Sequence, residues 1–166
     1  MSCQETSTLD FVKANFGALW PAHVEFFTRF LVKLRRSFDG DLDLLLIMAV
    51  IGEVTLPRRH LPPDFAYEQL IAGEGQSIPK DRIKTQSIAD FTGMPRETVR
   101  RKLQILHEKG WLERGETGNW IASRKASEEL QHATEASLAY LAVIIDAARQ
   151  VWAEHGEGDR NSEQLY

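Results

Sequence analysis

Apolar positions recur at intervals of three and four along much of this chain, which predicts helices. Leu9, Val12, Phe16 and Leu19 form the first stripe. Trp20-Pro21 interrupts it, and Pro21 suits the first turn of a second helix, whose stripe is His23, Phe26/Phe27, Phe30, Leu34 and Phe38. Asp39-Gly40 reads as a turn. Asp41 is then placed to cap "LDLLLIMAVIGEV", which is apolar on all sides and so predicts a central, buried helix. Ile47, Val50, Ile51 and Val54 favour β-structure and keep a strand as the alternative there. From Leu56 to Asp81 the periodicity fails among four prolines and two glycines, so this stretch predicts a loop with one helical turn at "DFAYEQL". Its length marks a functional or mobile segment, in which Arg58, Arg59 and His60 are candidate anion contacts or solvated charges.

The pattern then shortens. In "KTQSIADFTG", Thr85 or Ser87 can cap a short helix whose Ile88 and Phe91 point inward, and Gly93 supplies a tight turn. Met94-Pro95 opens a second helix running to about Lys109, where Gly110 ends it. "WLER", "GETGN" and "WIAS" read as a hairpin. One long helical pattern follows, from about Lys125 to His155, with two apolar stripes. The first is Leu130, Thr134, Leu138, Leu141, Ile145, Ala148 and Trp152, and the second Ser137, Tyr140, Ile144, Ala147 and Val151. A helix with two stripes has more apolar face than one core needs. The expected organisation is N-terminal helices over 1–56, a loop over 57–81, a helix-turn-helix with a hairpin wing over 82–124, a long helix over 125–155 and a frayed tail over 156–166, integrated as one mainly α domain.

Composition agrees with a folded chain. At 166 residues and 43% apolar content there is enough for one ordinary domain, or a small one with long appended helices. No uncharged apolar run of about 18 residues predicts a membrane span, and the first twenty residues lack the pattern of a secretory leader. The expected location is the cytoplasm, with no membrane partner. The single Cys3 has no companion for a disulfide or a zinc site, and the five histidines are scattered without ligand spacing. No Ser-His-Asp order, phosphate-binding glycine loop or carboxylate pair stands out. A non-enzyme without metal or cofactor is therefore expected.

The net charge of −4 hides an asymmetry. Residues 1–79 hold 7 Lys/Arg against 10 Asp/Glu, residues 80–125 hold 11 against 6, and residues 126–166 hold 2 against 8. A basic centre between acidic flanks is the charge pattern of a nucleic-acid module. Within it, Val99, Leu103 and Leu106 share one helix face, while Glu97, Arg100, Arg101 and Gln104 lie opposite with Arg96 at the edge. The helix dipole favours acids near an N-terminus, yet arginines gather there. A DNA major groove reverses that sign, since Arg grips guanine O6/N7 and Glu accepts from cytosine N4. A solvated basic face is the competing reading.

"SIADFTGMPRETVRRKLQILHEKGWLER" resembles the winged helix-turn-helix of the cyclic-AMP receptor protein/Fnr family of bacterial transcription regulators. The shared signature is Ile88-Ala89, Gly93, then Arg96-Glu97-Thr98-Val99, Arg101 and Leu103. The resemblance covers residues 84 to 123 and implies that Arg96, Glu97 and Arg101 read base edges. It further implies that Thr98 and Gln86 meet phosphate. Pro95 stands where the family commonly carries a backbone-anchoring serine. The GntR family has a similar recognition-helix string. The N-terminal region does not resemble the β-roll nucleotide domain of the cyclic-AMP receptor family. The order of helices, winged helix and long C-terminal helix is more similar to MarR-type regulators, which implies a dimer built from terminal helices.

These readings converge on a homodimeric transcription regulator that binds palindromic double-stranded DNA. Arg96, Glu97 and Arg101 are the expected base readers. Lys84, Thr85, Gln86, Ser87, Thr98, Arg100 and Lys102 are the expected phosphate contacts, and Arg114 and Asn119 those of the wing. Trp111 and Trp120 are expected to pack rather than to stack on bases. The dimer is expected to form through the second stripe, residues 137–151, and the aromatic face of residues 12–38. A winged helix whose basic face docks an acidic protein is the alternative.

Overall fold

The computed structural model describes residues 7–55, 62–74 and 81–162, with side chains to Glu154. Cys3, Arg58, Arg59, His60 and the His155 side chain lie outside what is described. The protein is mainly helical, with one small antiparallel sheet. It divides into two compact units. Residues 37–131 form one, and residues 1–36 with 132–166 form the other.

The central unit is built on α3 (Leu42–Thr55), α5 (Thr85–Thr92) and α6 (Arg96–Glu108). Asp41 caps α3 as its type suggests, its Oδ1 accepting from the Asp43 and Leu44 N–H groups at 3.1 and 3.2 Å. The stretch is a helix, not a strand. It buries Leu44, Ile47, Met48, Val50 and Ile51 against the other two helices and the hairpin, while Leu42 and Leu46 stay exposed, so it is not covered on all sides as expected. Gly93 turns the chain from α5 into α6 with φ 71°, a left-handed conformation open to glycine at little cost. Val99, Leu103 and Leu106 of α6 are fully buried, as their spacing requires, and meet Ile88 of α5. Each such side chain contributes about 1.5–3 kcal/mol by leaving water. Phe91 departs from expectation: it is 68% exposed, and Ala89 is buried beside Ile88 instead. The buried face of α5 is centred between Ile88 and Ala89, with Thr85 and Thr92 half-buried along it, which leaves Phe91 beyond its margin.

The hairpin pairs β1 (Leu112–Arg114) with β2 (Trp120–Ala122), setting Arg114 opposite Trp120. Gly118 takes the left-handed position in its loop, with φ 77°. Ile83 bridges the other edge of β2 through two backbone bonds to Trp120, of 2.8 and 3.0 Å. The helical turn expected in the 57–81 stretch is α4 (Tyr67–Ile71). After the hairpin, α7 (Arg124–Glu129) is capped by Ser123, whose Oγ accepts from the Ala126 N–H.

The second unit consists of α1 (Thr8–Ala14), α2 (Phe16–Ser37) but for its last residue, and nearly all of α8 (Gln131–Ser162). The first break falls at Asn15 rather than at Trp20-Pro21. Asn15 ends α1 by donating from Nδ2 to the Phe11 carbonyl at 2.9 Å. Pro21 instead lies inside α2, early enough that the bond it removes is to Gly17, in the helix's first turns. The long C-terminal helix is likewise split, with α7 ending at Leu130 before α8 begins. It also continues to Ser162, into the stretch expected to fray.

In this unit α2 and α8 meet through an aromatic cluster. Tyr140 stacks on Phe30 with ring centroids 5.4 Å apart, and its hydroxyl lies 2.7 Å from His23 Nδ1. Tyr140, Ile144, Ala147 and Val151 are buried or half-buried. Leu138, Leu141, Ile145 and Trp152 are exposed. The two stripes of the C-terminal helix therefore have roles opposite to those expected. The second stripe is used within the unit, and Leu138, Leu141, Ile145 and Trp152 of the first are left open.

Candidate nucleic-acid interface

The basic residues of the central unit are placed by α6 and the hairpin. Pro95 precedes α6 in an extended conformation and provides no side-chain cap, so its first N–H groups are left for solvent or an anion. Arg96, Glu97, Arg100 and Gln104 lie along its outer face. Together with Thr85, Arg114 and Trp120 they line a cavity of about 490 Å³ between the start of α6 and the hairpin. Three guanidinium groups thus border one concave surface. Arg114 lies over the Trp120 ring, 5.5 Å from its centroid, and Trp120 Nε1 donates to Thr85 Oγ1 at 3.0 Å. His107 Nδ1 donates to the Leu112 carbonyl at 2.8 Å, and its ring meets Trp120 edge-on. The cavity floor is therefore fixed by hydrogen bonds and ring contacts, while its rim carries the exposed guanidinium groups.

Glu97 and Arg100 form a two-point ion pair, with Nε to Oε2 at 2.9 Å and Nη2 to Oε1 at 2.6 Å. The hydrogen bond from Arg100 holds the Glu97 carboxyl below its ordinary range, with the Arg100 and Arg101 charges adding to the effect. The same bond raises Arg100. Both side chains are widely exposed, so an incoming anion or base can compete for either.

Five of the expected contacts come together here: Thr85, Arg96, Glu97, Arg100 and Arg114. The others are placed elsewhere. Arg101 is exposed outside this cavity. Gln86 donates to Asp90 Oδ1 at 2.7 Å. Lys84 precedes α5 and caps it with no side-chain bond, and Ser87 is exposed. Thr85, expected as a cap, instead gives its oxygen to Trp120. Thr98 and Asn119 are half-buried. Lys102 departs most from expectation. Its side chain is only 13% exposed and is ion-paired with Asp41, so its charge is taken up inside the unit rather than offered to phosphate. Burial raises the Asp41 carboxyl, but Lys102 and the N–H groups of Leu44 and Asp43 outweigh it and leave the group lowered.

Gln104 and Trp120 complete the cavity and were not among the expected site residues. Gln104 is legible from its place on the polar face. Trp120 becomes part of the site only through the strand register that sets it beside Arg114.

Among the described residues, no group of three His, Cys, Asp or Glu side chains is disposed to hold a metal ion, and no helix is long and apolar enough to cross a membrane. No family model, curated protein or solved structure matches this chain.

Proposed function

We propose that the central unit is a winged helix-turn-helix and that it binds double-stranded DNA as a transcription regulator. The observation that carries this reading is the convergence of Arg96, Arg100 and Arg114, from α6 and the hairpin, on one concave surface. On this reading α6 enters the major groove, where Arg96, Glu97 and Arg101 meet base edges. Arg100 takes phosphate once it exchanges Glu97 for DNA. Arg114, held over Trp120, meets the backbone beside the groove, and Thr85 and Gln104 add polar contacts. Lys102 has a structural role.

The protein acts as a homodimer on this reading, with the second copy covering the apolar face left open in the terminal unit. Leu138, Leu141, Ile145 and Trp152 of α8, with Phe16, Trp20 and Leu31 of α2, are exposed there. The open first stripe replaces the second, Ser137 to Val151, as the proposed dimer face. A two-fold dimer sets two recognition helices roughly 34 Å apart and favours a palindromic site.

The test is selection of bound duplexes from a random pool, followed by salt titration on the best site. Expected are an inverted-repeat sequence and an affinity that falls steeply with salt. Weak binding with no preference over generic DNA refutes the reading, and salt-sensitive capture of an acidic protein instead favours a protein-docking winged helix.

A further inference from the structure

We propose that Trp111 is a positioning residue that ties α6 to both stretches of chain leaving the central unit, so that a rearrangement of the terminal unit acts on α6 through this side chain. The inference rests on the reading that α6 engages DNA, and it adds a route by which that engagement is regulated.

The chain passes between the two units twice, after Arg36 and after Gln131. Next to the first passage, Phe38 packs edge-on against Trp111 with centroids 5.4 Å apart. Its neighbour Asp39 pairs with Lys109, the C-cap of α6, at 2.9 Å. Next to the second passage, Glu129 accepts from Trp111 Nε1 at 2.6 Å. Lys125 pairs with Glu129 at 3.5 Å and donates to the Lys109 carbonyl at 2.8 Å. The Lys109 ammonium lies over the Trp111 ring, 5.2 Å from its centroid. The Trp111 backbone N–H donates to the Leu106 carbonyl at 3.0 Å, so the residue is tied to the last turn of α6. One side chain thus touches both connections and the recognition helix.

The buried indole N–H needs an acceptor, and the one it finds, Glu129, stands next to the second connection. The bond to Glu129 fixes how the ring is turned, and with it the side presented to Phe38 and Lys109. Rotation or withdrawal of either connection must move the ring or break one of these contacts. Coupling of this kind is reciprocal: what the terminal unit does to α6, DNA on α6 does to the connections.

The test is hydrogen exchange of the full-length protein with and without its best selected duplex. In the wild type, duplex is expected to slow exchange over residues 96–108 and, by about fivefold or more, over residues 37–42 and 126–134. Trp111→Phe keeps the ring packing and loses the N–H. Glu129→Ala removes the acceptor at the surface and keeps the test available should the tryptophan variant unfold. Both are expected to retain the protection of α6 and to lose that of the connections. Connections that never respond in the wild type, or that respond equally in the variants, overturn the proposal. Failure of the duplex to protect α6 itself overturns the DNA reading on which it rests.

Discussion

The central and terminal units are both built mainly from helices, yet only one of them encloses a core. Among the described residues, all but two of the buried apolar side chains lie in the central unit. The exceptions are Ala136 and Val151, and α2, 22 residues long, buries none. The central unit closes because the broad apolar face of α3 is covered by α5, α6 and the hairpin together. The terminal unit has two long helices and a short one, each amphipathic, with nothing among them to cover the outer side. A folded helix pair gains too little burial by itself to offset the entropy of ordering its chain, so its open face is where a further partner contributes most.

The largest effect separating the two units is expected from matched leucine truncations. Leu103→Ala in the central unit should cost about 2–5 kcal/mol in chemical denaturation, through lost burial and a cavity. Leu141→Ala on the open face should stay within about 0.5 kcal/mol at low protein concentration. A loss at Leu141 that grows with concentration signals the covering copy, and equal losses at any concentration erase the distinction.

Next in size is the association itself. Leu141→Glu with Ile145→Glu should weaken a dimer by about 2–4 kcal/mol, read by sedimentation as a shift to monomer with helical content retained. A wild type that is monomeric throughout defeats the second-copy assignment. Arg101→Ala should cost about 1–3 kcal/mol in duplex affinity and relax the preference at one base per half-site. An equal fall for all sequences reassigns Arg101 to phosphate.

The smallest expected effect concerns acid. The lowered Asp41 carboxyl stabilises the central unit fully above its unfolded-state value, and the contribution is lost as pH falls through the folded value, below about pH 4. Asp41→Asn should cost about 1 kcal/mol at neutral pH and flatten part of the acid limb of the stability curve. An acid limb unchanged by the substitution removes the pair with Lys102 from the account.

Much of this was legible in the chain because the signals are local. Gly93 and Gly110 end helices where the backbone turns left-handed, Asp41 stands one residue before α3, and Val99, Leu103 and Leu106 repeat at helical spacing. The errors came where two local signals compete or a distant group intervenes. Pro21 is a strong punctuation mark, yet Asn15 ends the helix because its amide reaches back to Phe11. Phe91 has the composition of a core residue and the wrong angle for it. In the candidate site, Arg96, Glu97 and Arg100 were readable from one helix face, whereas Trp120 joined them through strand register and Lys102 left them for an acid 61 residues away.

Local pattern was sufficient for the helices, the hairpin, the buried face of α6 and the basic block, since each depends on residues a turn or a strand apart. It did not decide which stripe of α8 is used internally. Two stripes side by side on one helix are equivalent until a partner packs, and Tyr140 meeting His23 and Phe30 assigns the inner one. Nor did pattern decide which cations remain available. Lys102, three residues after Val99 and four before Leu106, flanks the buried face, and the approach of Asp41 takes up its charge while Arg96, Arg100 and Arg114 stay at the rim of the cavity. Long-range packing makes both choices, because the free energy of each depends on groups the intervening chain brings close.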